Sequence, residues 1–152
     1  MTYNKKRHIE LVKYAQDLKD QKKNIFIENQ KACEELLNYN IAVEEQVFWS
    51  YKEEIFLLMK NFIHNKIHFD EFEIAFTLLY KKIRKEFNLF VMDLKKIEKF
   101  QPSTRSDRFA SLINSIFRQF EEVDEGYCTK QEVQNYVTKG YLEFQKFLTE
   151  EE

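Results

Sequence analysis

Residues 72–97 read FEIAFTLLYKKIRKEFNLFVMDLKKI, with Phe72, Phe76, Leu79, Ile83, Phe87, Phe90, Leu94 and Ile97 at steps of three and four. That period traces one stripe along an α-helix and is not the alternation of a half-buried strand. Extended back to Phe69 and on to Lys99, such a helix would run roughly 45 Å. Asn88 is its expected bend, and Asp70 and Glu71 supply the negative charge that favours a helix start.

The same spacing recurs on either side. Upstream, Phe48, Tyr51, Ile55, Leu58 and Phe62 line one stripe and leave Lys52, Glu53, Glu54 and Lys60 outside it. Downstream, Phe109, Leu112, Ile113, Ile116, Phe117, Phe120 and Val123 predict a fourth helix, and Val133, Val137, Tyr141, Phe144 and Leu148 a fifth. Nearer the N-terminus, Ile9, Val12, Ala15, Leu18, Ile25 and Leu36 fall at near-helical spacing, giving one long helix or two broken near Gln21. The segment Asn38, Tyr39, Asn40 is expected to stop it, because Asn tolerates the left-handed conformation that ends helices. Pro102 should end the long helix, with Ser103 or Ser106 capping the next. Thr129 and Glu132 have capping-box spacing, and Gly126 can supply the positive φ that closes the helix before it.

Composition agrees. Two Gly and one Pro in 152 residues are far below the usual ~7% and ~5%, so turns must be few and helices long. The chain is 43% apolar and 16% aromatic, enough to form a core. The expected fold is all-α: an antiparallel four-helix bundle over residues 41–152, with an additional long N-terminal helical arm over residues 1–40.

Chemistry is sparse. Glycine-rich phosphate loops and nucleophile elbows are absent from the sequence. The residues three before His8, His64 and His68 are Lys5, Asn61 and Asn65, which excludes the Glu-x-x-His pair of a di-iron bundle. His64 and His68 straddle a turn, and Cys33 and Cys128 have no zinc spacing; the expectation is two reduced thiols. No metal, cofactor or catalytic residue is assigned, and the chain is expected not to be an enzyme. No run reaches the length of a membrane span. Lysine outnumbers arginine nineteen to five, a bias of A+T-rich genomes, so a cytoplasmic location, or an organelle stroma if plastid-encoded, is expected.

Charge is uneven behind a formal net of -2: residues 106–152 carry ten acids and five bases, residues 1–105 sixteen acids and nineteen bases. Glu121, Glu122, Asp124 and Glu125 crowd within five residues at the end of the fourth helix, where the macrodipole favours cations. A corner needed only for turning does not require them. With Tyr127 they are the candidate partner-binding residues. The basic clusters Lys5 to Arg7 and Lys81 to Lys85 sit on helices rich in acids, so nucleic acid is the least favoured partner.

Residues 62–76, FIHNKIHFDEFEIAF, followed by residues 112–127, LINSIFRQFEEVDEGY, resemble the colicin D-type immunity, or bacterial self-protective colicin-like, family. Glu71 and Phe72 match its first element; Phe120, Val123, Asp124 and Tyr127 match its second. The resemblance covers about residues 48–149. It implies a four-helix bundle that blocks the basic cleft of a tRNA-cleaving toxin domain with acidic side chains, Asp124 among them. Genomic neighbourhood would identify such a partner, because an immunity gene sits beside its toxin. The alternative expectation is a structural helical subunit of a larger intracellular or organellar assembly.

Overall fold

The structure, a computed structural model, describes residues 2–103 and 105–149, the side chains of 147–149 excepted. The described residues form α1 (Lys5–Asp20), α2 (Ile25–Glu28), α3 (Gln30–Ser50), α4 (Lys52–Ile63), α5 (Phe69–Phe90), α6 (Leu94–Lys99), α7 (Ser106–Asp124) and α8 (Lys130–Thr149), with no strand among them. The all-α expectation holds.

Four rods make the bundle. α3 and α4 form the first, bent at Tyr51, where the Ser50 hydroxyl donates to the Val47 carbonyl at 2.6 Å. A serine bonded back one turn competes with the helical ladder and bends it. α5, α7 and α8 are the others, with α5 packed on α3, α4 and α7, and α8 on α4 and α7.

The aromatic contacts fix the directions. At one end Phe62 of α4 stacks on Phe72 of α5 at 4.2 Å, and Phe120 of α7 meets Phe69, Phe72 and Phe76 edge-on. Toward the other end, Phe109 near the start of α7 contacts Trp49, Phe56 and Phe144. Rods that follow one another therefore run antiparallel. Each buried Phe contributes about 1.5–3 kcal/mol of transfer free energy, and edge-to-face contacts add about 0.5–1.5 kcal/mol.

The N-terminal segment lies folded against the bundle. α1 packs on α3 and α6, and Leu11, Ala32 and Tyr39 form a second small apolar cluster that Tyr3 joins to the main core. The Arg7 guanidinium grips the Glu35 carboxylate through two bonds of 2.8 and 3.0 Å, and Lys5 donates to the Glu98 carbonyl at 2.8 Å. Two members of the first basic cluster thus hold α1 in place.

Four local expectations are corrected. Asn38 to Asn40 do not stop a helix: α3 runs through them because Tyr39 is buried and Asn40 bonds to His8. The stripe 48–62 is two helices, broken at Tyr51, and its buried face also takes in Phe56 and Met59. The long helix breaks at 91–93 and not at Asn88, since the Asp93 carboxylate accepts from the Lys95 and Lys96 amides and caps α6. Neither serine is the N-cap of α7; Arg105 holds that position, and Ser106 Oγ donates to the Ser103 carbonyl at 2.9 Å. Gly126 has φ 82° and Thr129–Glu132 form their reciprocal bonds, as expected. The side chain of Leu148 lies outside the described residues.

Candidate functional site: the acidic end of the bundle

α7 ends in a turn closed by backbone hydrogen bonds. The Tyr127 amide donates to the Glu122 carbonyl at 2.8 Å and the Gly126 amide to the Val123 carbonyl at 3.1 Å, with Gly126 left-handed. This pair of bonds is the glycine-terminated helix closure. It presents Tyr127, 80% exposed, at the tip of the bundle. Glu121, Asp124 and Glu125 are exposed beside it and Glu122 is half-buried. The last turn of α7 contains no basic residue to offset the dipole.

Antiparallel packing brings further acids to the same end. Glu73, near the start of α5, has its carboxyl pushed above the ordinary range, first by burial and then by the charges of Asp124 and Asp70. Lys130, at the start of α8, reaches Asp70 at 3.2 Å and lies over the Phe69 ring, partly countering this. The five residues singled out in the sequence fall within the seven positions 121–127, while Glu73 and Asp70 belong to the same negative surface through tertiary structure alone. No spacing rule links residue 73 to residue 124; the signal that could have found them is the pairing of a helix start with its antiparallel neighbour's end.

The histidines sit close by without forming a metal centre. His64 ends α4 and His68 precedes α5, both exposed, around Asn65 in the left-handed region at φ 58°. Among the described residues no group of three or more His, Cys, Asp or Glu converges as a metal site. Cys33 is buried and Cys128 half-buried, both free thiols; burial and then Glu132 and Glu122 push the Cys128 thiol upward, away from nucleophilic character. A groove of about 290 Å³ at the far end, between α7 and α8, is lined by Asp107, Arg108, Ser111, Ser115, Tyr136 and Glu143, with no histidine or cysteine to activate a hydroxyl. Among the described residues no helix is long and apolar enough to cross a membrane.

The second basic cluster is divided by the fold. Arg84 pairs with Glu44 and lies over the Phe87 ring, Ile83 is buried, and Lys81, Lys82 and Lys85 face outward. No known family model, curated protein or solved structure matches the chain.

Proposed function

We propose that this chain is a non-enzymatic protein-binding module that engages a basic protein surface through the acidic end of its bundle. The observation that carries the reading is energetic. Glu121, Glu122, Asp124 and Glu125 stand where the α7 dipole disfavours them, by about 0.3–1 kcal/mol each, and Glu73 is pressed into the same field. An arrangement that costs the fold stability is supported by what it can gain outside, since a concentrated negative surface speeds encounter with a positive one. The resemblance of residues 48–149 to colicin D-type immunity proteins supports a tRNA-cleaving nuclease as that partner. Its cleft is positive because it receives phosphates, and carboxylates compete there with RNA.

The test separates fold from binding. Replacing Asp124 and Glu125 by lysine should raise the thermal midpoint slightly at low salt, because cations suit that helix end. The same change should slow association with a basic nuclease domain by roughly tenfold or more, with the effect fading as salt rises. A stabilised variant that binds as fast as the wild type would reject the proposal.

A second reading, a structural subunit of a larger intracellular or organellar assembly, is supported by aliphatic side chains left exposed on outer helix faces, Leu37 and Ile41 of α3 and Leu57 of α4 among them. Elution of the native protein in a stoichiometric complex lacking any nuclease would favour it.

A further inference from the structure

The outer face of α5 carries a pattern that the acidic end does not use. Ile74 (63% exposed), Leu78 (64%) and Leu89 (58%) share one stripe, and Met92 (68%) follows just past the helix. Between Leu78 and Leu89 the same face presents Lys85, with Lys81 and Lys82 at its two edges, all exposed, the Lys82 ammonium lying over the Tyr51 ring at 5.3 Å. At 1.5 Å per residue the stripe from Ile74 to Leu89 is roughly 22 Å long, four turns of helix. At its far end Met92 borders a shallow groove of about 180 Å³ between α1, α3 and the α5–α6 turn, where Val12, Ala15, Leu36 and Val91 alternate with Gln16, Lys19 and Asn40.

We infer that this face binds an amphipathic helix of another protein, one whose contact side is aliphatic at both ends and acidic in the middle. The order of side chains selects that occupant. A second copy is opposed: with a dyad at the stripe's centre, between positions 81 and 82, antiparallel pairing sets Lys81 against Lys82 of the other copy and Lys85 against its Leu78, charge on charge and charge on aliphatic, and parallel pairing sets like against like. A nucleic-acid backbone would meet the lysines and leave four aliphatic side chains unmatched. A membrane-surface helix carries its cations on the polar face, around an apolar one, not in the centre of it. An acidic-centred helix satisfies both parts: its carboxylates meet the lysines while its aliphatic ends cover Ile74 and Leu78 on one side and Leu89 and Met92 on the other. The inference stands apart from the acidic end and holds whichever reading of that end is right.

The probe is a fluorescent helix-forming peptide of about 18 residues, long enough for the stripe, with leucines at both ends of one face and glutamates at its centre. A scrambled peptide of the same composition, a single-stranded RNA and anionic phosphatidylserine vesicles serve as competitors in kind. Binding should favour the patterned peptide over the scrambled one by roughly tenfold. It should fall by a similar factor in Leu78→Asp and in K82E/K85E, and shift resonances of Ile74, Leu78 and Leu89. These positions are exposed, so the variants should keep the wild-type circular dichroism melt, and D124K/E125K should bind the peptide as the wild type does. Equal affinity for the scrambled peptide would overturn the inference. So would RNA or vesicle binding that needs the lysines but ignores Leu78→Asp, or a self-associated dimer that Leu78→Asp dissolves.

Discussion

His8 is wholly buried among aromatic rings, with Nδ1 2.8 Å from the Tyr3 hydroxyl and Nε2 3.0 Å from Asn40 Oδ1. Neutral imidazole fits both bonds, accepting from Tyr3 at Nδ1 and donating to Asn40 at Nε2. Burial holds its pKa below the ordinary 6.5, with the Asn40 bond a smaller opposing influence. The unfolded chain therefore takes up the proton first. Stability from neutral His8 is fully present above about pH 6.5 and drains away as pH falls toward the folded value. His8→Gln should cost about 1–3 kcal/mol at pH 8 by leaving Tyr3 or Asn40 poorly paired, and the gap to the wild type should close as pH drops to 5. Chemical denaturation across that range checks it; a gap independent of pH would show that the imidazole does not titrate with folding. Glu73 has the opposite sign. Its carboxyl titrates above the ordinary 4.5, so the penalty of its charge is complete above the folded value and vanishes as pH falls to 4.5. Glu73→Gln should raise the melting midpoint at pH 7 and change nothing at pH 4.5.

α7 and α8 approach closely because Gly140 gives them room. A Cβ built on Gly140 would stand 2.6 Å from Leu112 Cδ1 and 3.1 Å from its Cδ2, so the leucine end fills the place of a side chain. Gly140→Val should cost about 1–3 kcal/mol through overpacking, despite removing a glycine from a helix interior, as urea unfolding would measure; a neutral result would mean that Leu112 swings aside freely. Helix identity was legible in the sequence for a related reason: apolar residues at steps of three and four turn inward whatever their partners, so Phe72, Phe76, Ile83, Phe109, Ile116, Val133 and Val137 are buried and Leu58, Leu79, Phe90 and Phe117 half-buried, whereas α1 buries His8, Leu11 and Leu18 and leaves the expected Ile9, Val12 and Ala15 half-buried. Helix ends were less legible. Asn38 and Asn40 carry a stop signal that Tyr39 overrides by burying its ring against Tyr3 and His8. The break at Tyr51 leaves no mark, because a one-residue interruption keeps the apolar stripe in phase. Asp93 was readable as a cap only if the stripe from Phe72 to Ile97 was allowed to be interrupted.

At the scale of the whole molecule the acidic end was half legible: the run from Glu121 to Glu125 is local, whereas Asp70 and Glu73 join it only once α5 and α7 lie antiparallel. The same limit applies to the expected division between an arm at 1–40 and a bundle from 41 onward, which falls inside α3. That helix serves both apolar clusters, Tyr39 in the small one and Val43, Val47 and Phe48 in the large one, with Tyr3 touching both. A shared rigid rod couples their unfolding, so the full chain should melt in a single calorimetric transition. Removing residues 1–28 takes away Leu11 and Leu18 and uncovers Tyr39 and the Tyr3-facing side of Phe100. Several large apolar contacts at about 1.5–3 kcal/mol each are lost, and each kilocalorie moves the midpoint of a chain this size by roughly 2–4 °C. The truncated protein should keep most of its helical circular dichroism, since α3, α4, α5, α7 and α8 retain their bundle partners while α6 loses α1, yet melt roughly 10 °C or more below the full chain. Two resolved transitions in the full chain, or a truncated chain melting at the full-length temperature, would mean that α1 and α2 are an independent appendage and that the small cluster contributes nothing to the bundle.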